Sequence, residues 1–177
     1  MFNKISSSYI RLLVAIVSLF GLFVSVYLLY TYVNGGPIRC LITHGCDVVR
    51  ASRYAWVFGI PMPVFGVLFF ADIFAVCVLR SATQKQRSLL LRLQQGEIVA
   101  GFLFSVFLFF VQWLDLKAFC FWCELSALAT LFLLLLTPFD SAEVLPPEKA
   151  RWELQKYLLI LFLFLPLAAG AFYLLVF

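Results

Sequence analysis

The sequence predicts an all-α integral membrane protein: a four-helix transmembrane bundle, a fifth transmembrane helix and an interfacial half-helix lying over the bundle as a lid. Three observations predict it. Of 177 residues, 64% are hydrophobic and 12% charged, about half the charge of an ordinary soluble domain. Five apolar stretches approach the roughly 20 residues that a bilayer-spanning helix needs. The charges gather at the ends of those stretches, and 21 Phe and 4 Trp supply rings suited to lipid and to its interface. No stripe of interleaved basic and aromatic residues is present, which argues against a nucleic-acid surface.

The five stretches are 10–33, 62–79, 98–114, 118–136 and 157–177. The first is too long for a signal-peptide core and no small-residue cleavage site follows it, so it reads as a retained helix. Residues 1–139 form one four-helix domain. The link 140–153, with Pro146-Pro147 and mixed charge, sets apart the fifth helix at 154–177. Lys4, Arg11, Arg80, Lys85, Arg87, Arg92, Lys149, Arg151 and Lys156 fall on one side; Arg39, Arg50, Arg53 and Lys117 fall on the other. The side richer in Lys and Arg faces the cytoplasm. The N terminus is therefore inside a cytoplasmic (inner) membrane. The loop 34–61 and the turn 115–117 are on the extracytoplasmic side.

Topology sorts the five cysteines. Cys40 and Cys46 lie in the large outer loop, and Cys120 and Cys123 at the outer end of the fourth helix. All four share the side where thiol–disulfide chemistry persists. Cys77 lies about 22 Å down the second helix by helical rise and reads as a small core residue. Cys120 and Cys123 are one helical turn apart on one face. A helix N-terminus there favours a thiolate. A zinc centre needs about four ligands. With His44 the only histidine, the set would be four cysteines, or three and His44. The apolar, aromatic surroundings of Cys120 suit a redox pair better. Cys40 and Cys46 alone read as a loop staple, with Gly45 letting the chain bend back. Beside a second dithiol on the same face they read as a relay, because exchange passes through mixed disulfides.

Asp47 is a suitable N-cap for a half-helix over 47–57. Val48, Val49, Ser52, Ala55 and Trp56 share its apolar face, and Arg50 and Arg53 another. Ser52 either points into the bundle mouth or is a small residue that lets the lid sit close. Gly59-Ile60-Pro61-Met62-Pro63 turns the chain into the second helix. Asp72, halfway down that helix, is either functional or hydrogen-bonded to a neighbouring helix. Gln112 either donates to a ligand oxygen or bonds across helices. Glu124 either interacts with the Cys120–Cys123 pair or, the plainer reading, is a solvated interfacial acid. His44 either favours a loop thiolate or is simply solvated.

Cys46-Asp47-Val48-Val49, Ser52, Phe58-Gly59-Ile60-Pro61 and Gly66, followed by Phe119-Cys120-Phe121-Trp122-Cys123, resemble the vitamin K epoxide reductase (VKOR) family over about 10–139. The six-position step between the loop cysteines and the fifth helix resemble bacterial members. The resemblance implies a bundle around a quinone (ubiquinone or menaquinone). It implies electrons passing from a periplasmic thioredoxin-like partner to the loop pair, then to Cys120 and Cys123, then to the quinone, in support of disulfide bond formation. Cys40 would exchange with the partner, Cys46 would bond Cys120, and Cys123 would face the quinone. Quinone contacts are expected from Ser52, Trp56, Phe58, Gln112 and Ala127. Ala127 stands where vertebrate members carry a Tyr, and Met62-Pro63 near where they carry an Asn, which argues against epoxide reduction. The 177 residues show no thioredoxin-like stretch, so the partner is expected in trans. Membrane lipid is the other expected partner; nucleic acid and metal are not expected. An outward electron carrier would need a second cysteine on the cytoplasmic side. A non-catalytic scaffold would need a Cys40–Cys46 staple that never exchanges.

Overall fold

The computed structural model describes residues 2–35, 38–40, 45–82 and 87–144. Among these, four helices are long and apolar enough to cross a membrane, at Tyr9–Asn34, Met62–Arg80, Leu89–Leu116 and Phe121–Phe139. They belong to α1 (Phe2–Asn34), α3 (Met62–Ala82), α4 (Arg87–Phe110) with the π-helical turn Val111–Leu116 that continues it, and α5 (Phe121–Val144). Between α1 and α3 lie α2 (Cys46–Ala51), a 3-10 turn (Arg53–Ala55) and the antiparallel hairpin of β1 (Trp56–Val57) and β2 (Ile60–Pro61). The helix α5 runs on to Val144, so residues 140–144 of the expected link are helical. The rest of that link, the expected fifth helix and His44 lie outside the described residues.

The four long helices pack around one core. Val14 of α1, Phe70 and Ile73 of α3, Ile98 of α4, and Ala129 and Leu133 of α5 meet in its middle. Phe23, Leu68, Leu93 and Phe132 stand exposed on the outside, where lipid rather than water is the solvent. Gly66 of α3 sits against α1: a Cβ there would come 2.7 Å from Ser25 Oγ. A side chain there would displace the Ser25 hydroxyl from its bond to the Gly21 carbonyl.

The third crossing starts earlier than its apolar stretch. Gln94, Gln95 and Glu97 limit the sequence reading to residue 98 onward, yet α4 begins at Arg87. Gln94 is satisfied inside the protein. Gln94 is 2% exposed; its Oε1 accepts from Arg80 at 2.5 Å and its Nε2 donates to the Ile73 carbonyl at 3.1 Å. Glu97 of α4 stands beside Asp72 of α3. Paired polar groups between helices let a helix continue through a region without water.

The half-helix is shorter than expected. It ends at Ala51, because Ser52 is extended (φ −74°, ψ 157°). The Ser52 hydroxyl donates to the Val49 carbonyl at 2.7 Å and the Ser52 N–H to the same oxygen at 3.2 Å. A serine side chain that bonds the backbone competes with helix continuation in this way. Asp47 is not the N-cap: Gly45 holds that position without a side-chain bond. The Asp47 carboxylate accepts instead from the Ile38 N–H at 3.4 Å and pairs with Arg50 at 3.9 Å. After the 3-10 turn the hairpin closes through Phe58 (φ 51°) and Gly59 (φ 79°). Positive φ at both central residues marks a turn whose twist suits paired strands. A non-glycine residue there carries backbone strain.

Gly45 has another role than bending. Its φ is −81°, open to any residue, but a Cβ would lie 2.5 Å from the Phe119 carbonyl oxygen and 2.7 Å from its nitrogen. Backbone atoms cannot rotate away. Gly45→Ala is therefore expected to destabilise the protein by about 1–3 kcal/mol, as overpacking does, while leaving membrane insertion intact. The measurement is the thermal midpoint of the detergent-solubilised protein. An unchanged midpoint would mean that the loop does not press on the backbone ahead of α5.

Candidate functional site

All four cysteines expected from the sequence converge at one end of the bundle. Cys46 and Cys120 are each 1% exposed. They share a buried cluster with Leu28 and Ile38, and Cys40, Val49, Trp122 and Cys123 pack against it. Cys40 and Cys46 form a disulfide, Cα atoms 6.2 Å apart. Cys120 and Cys123 are thiols. One dithiol is thus oxidised and the other reduced, side by side in an apolar pocket.

The surrounding contacts clamp the loop pair onto the helix pair. Cys46 opens α2, directly after the close approach of Gly45 to Phe119. The Trp122 indole N–H donates to the Arg39 carbonyl at 2.9 Å, one residue before Cys40. Its ring lies 4.5 Å from that of Tyr27 on α1. Arg50 donates to the Thr31 carbonyl at the end of α1. Arg53 and Asp115 pair at 3.6 Å, but the Arg53 side chain is 77% exposed. Such an exposed, solvent-screened pair contributes little, so packing and the disulfide hold the lid.

Cys120 directly precedes α5. Its carbonyl accepts the Glu124 N–H at 3.0 Å, and its sulfur accepts the Cys123 N–H at 3.3 Å. The sulfur thereby caps the helix, where the macrodipole favours negative charge. The Cys120 thiol is pulled below its ordinary value. The hydrogen bond from the Cys123 side chain is the largest cause, aided by the backbone N–H groups of Cys123 and Trp122; burial and the Glu124 charge oppose it. The thiolate is the attacking form in disulfide exchange.

Gln112 holds this arrangement from the opposite helix. It lies in the π-helical turn after α4 and is 4% exposed. Its Oε1 accepts the Cys120 N–H at 2.6 Å, and its Nε2 donates to Glu124 at 2.9 Å. Only the amide oxygen can accept from a backbone N–H, so the orientation is chemically forced.

A cavity of about 510 Å³ opens beside Cys123, between the four long helices and beneath the lid. Its walls are mostly apolar. From α1 it takes Ser25, Leu28 and Tyr32; from α5 it takes Cys123, Ala127 and Thr130. These steps of three and four residues keep one helix face turned inward. Gln112 and Glu124 also line it.

The structure divides the remaining expected residues. Gln112 and Ala127 line the cavity; Ser52, Trp56 and Phe58 do not. The Ser52 hydroxyl is turned back onto Val49. Trp56 is 46% exposed, with its ring 6.1 Å from that of Tyr32, and Phe58 is fully exposed at the hairpin tip. Val49, Tyr54, Ala55 and Val57 face the cavity from the lid. The extended residue at Ser52 breaks the helical phase, and strand alternation then turns Val57 in and Trp56 out. Cys77 packs in the mid-bundle core, with its thiol 3.6 Å from the Arg11 carbonyl.

Tyr32, Tyr54 and Glu124 were not among the expected site residues. Tyr32 is legible in retrospect from its spacing with Ser25 and Leu28. Glu124 is legible from its place beside Cys123. Tyr54 is not, because its direction depends on the break at Ser52.

The vitamin K epoxide reductase family matches residues 12–138 of the chain, more than half of its length.

Because the folded value of the Cys120 thiol lies below its ordinary one, its ionisation stabilises the fold above the ordinary thiol range. That contribution is lost as pH falls through the depressed value. In Cys123→Ser, which keeps a hydroxyl donor, the rate of Cys120 alkylation is expected to hold to lower pH than for a free cysteine. In Cys123→Ala the profile should move upward. Identical profiles would remove the side-chain hydrogen bond as the cause.

Proposed function

The chain belongs to the vitamin K epoxide reductase family, membrane thiol oxidoreductases that use quinones, and on that premise we propose that it oxidises a periplasmic thioredoxin-like dithiol protein and reduces ubiquinone or menaquinone, supporting disulfide bond formation. The observation that carries this reading is the convergence of four cysteines, two in a disulfide and two as thiols, with Cys123 on the wall of an apolar cavity.

The cavity suits a quinone head group. Its volume lies in the range of about 300–1,000 Å³ usual for small-molecule sites. Apolar walls with a few polar groups, Tyr32, Tyr54 and Gln112 among them, match a flat ring carrying two carbonyl oxygens. A quinone bound there would supply a two-electron acceptor.

The chain's own part is thiol exchange. A partner thiolate attacks Cys40, breaks the Cys40–Cys46 bond and releases the Cys46 thiolate; the partner's second thiol then frees Cys40 and leaves oxidised. Cys46 attacks Cys120 of an oxidised Cys120–Cys123 pair, releasing Cys123, and Cys40 resolves the Cys46–Cys120 bond. This leaves the loop pair oxidised and the helix pair reduced, ready to pass its electrons on. The depressed Cys120 thiol makes it a good leaving group in that exchange. The charge asymmetry of the sequence supports placing the cysteine-bearing end on the periplasmic face.

Purified protein in detergent, given a reduced thioredoxin-like partner and a short-chain quinone, is expected to reduce the quinone, followed by its absorbance. Cys123→Ala should fall to background while remaining folded. No turnover by the wild type with either quinone class would favour a non-catalytic scaffold stapled by Cys40–Cys46.

A further inference from the structure

Closing a disulfide between Cys120 and Cys123 breaks two S–H bonds and forms one S–S bond. Two electrons and two protons leave the thiols, and a quinone becoming a hydroquinone takes up two of each. The electrons have a short path, since Cys123 lines the cavity. The protons need a carrier, because both sulfurs lie in an apolar cluster.

Glu124 is the only carboxyl group among the described residues that line the cavity. It follows Cys123 directly in the first turn of α5. It is partly buried and acts electrostatically on both thiols. Gln112 Nε2 holds one of its oxygens at 2.9 Å. Gln112 is fixed in turn by its bond to the Cys120 N–H, so one amide ties the acid to the pair's own backbone. The other titratable groups facing this region are Tyr32 and Tyr54 on the cavity wall. A phenol is a far weaker acid than a carboxyl, so neither matches Glu124 as a proton carrier near neutral pH. Asp115 lies instead against Arg53.

We propose that Glu124 is a catalytic residue that takes the proton of Cys123 as the disulfide closes and delivers it into the cavity. The inference rests on the quinone-reducing function proposed above. Cys120 enters as the thiolate, its proton already gone to the outer solution. As Cys120 bonds to Cys123, the Cys123 proton passes to the Glu124 carboxylate, and two electrons go to the quinone. The protonated carboxyl gives that proton to a quinone oxygen. It then relays a second from the outer solution, which replaces the one Cys120 released. Two protons leave the thiols and two arrive. A carboxylate beside a thiolate in an apolar site is itself unfavourable, so protonating Glu124 also relieves the repulsion on Cys120.

The test uses the full chain and Glu124→Gln, which is nearly isosteric and keeps an oxygen to accept from Gln112. Three readouts are taken. In quinone-free protein, the infrared difference spectrum on oxidising Cys120 and Cys123 with ferricyanide, which takes electrons and no protons, is expected to show a protonated-carboxyl band that shifts in heavy water and is absent from Glu124→Gln. Short-chain quinone affinity, followed by tryptophan fluorescence, is expected to be unchanged. Turnover by Glu124→Gln is expected to fall about 100-fold or more, the usual scale of general acid–base catalysis, with Glu124→Asp recovering part of it. A wild type that reduces quinone beside an equally active Glu124→Gln would overturn the role. So would the same carboxyl band in both proteins. A wild type that shows the band but reduces no quinone would instead sink the proposed function and leave Glu124 as the thiol pair's proton acceptor.

Discussion

The bond from the Cys120 N–H to the Gln112 amide oxygen holds the site together. The first N–H groups of any helix lack partners within it. At the buried start of α5 there is little water to supply them, and an unsatisfied buried donor costs about 1–3 kcal/mol. Gln112 takes one of these groups and the Cys120 sulfur takes another. With that done, α5 can begin inside the protein. Its first turn then presents Cys120 to the loop pair on one side and Cys123 and Glu124 to the cavity on the other. The widened turn after α4 aims Gln112 at that point; such turns occur often at functional sites.

The bundle has two differently built ends. Toward the Arg80 end, the space between helices is filled by apolar side chains and by polar groups paired across helices, as Arg80 pairs with Gln94. Toward the cysteine end it opens into a cavity closed by the lid. Small residues permit both. Gly66 lets α3 approach α1 at the cavity wall, and Gly45 lets the lid descend onto the backbone of Phe119. The lid is covalently closed at Cys40–Cys46, bonded to the ends of α1 and α5, and only weakly assisted by its surface ion pair.

Much of the architecture follows from solvent chemistry. A chain so apolar, with its charges at segment ends, has few stable arrangements other than helices across a bilayer. The four crossings, the short amphipathic segment and the meeting of two cysteine pairs at one end are all legible from stretch length, side-chain period and spacing. The early start of α4 is not. Gln94 looks costly by itself, and only its partners on α3, Arg80 and the Ile73 carbonyl, offset that cost.

The sequence by itself determined the membrane class, the family resemblance and the four cysteines, because hydrophobicity and local spacing carry those without reference to distant residues. The tertiary structure alone decided which other groups face the cavity. The break in helical phase at Ser52, whose hydroxyl and N–H both bond the Val49 carbonyl, turned Tyr54 and Val57 inward and left Ser52, Trp56 and Phe58 outside it. The tertiary structure also made Glu124 a partly buried partner of Gln112 instead of a solvated acid. Both outcomes depend on hydrogen bonds between segments far apart in the chain, or on a break in helical phase, and neither is written in the local pattern of the residues concerned.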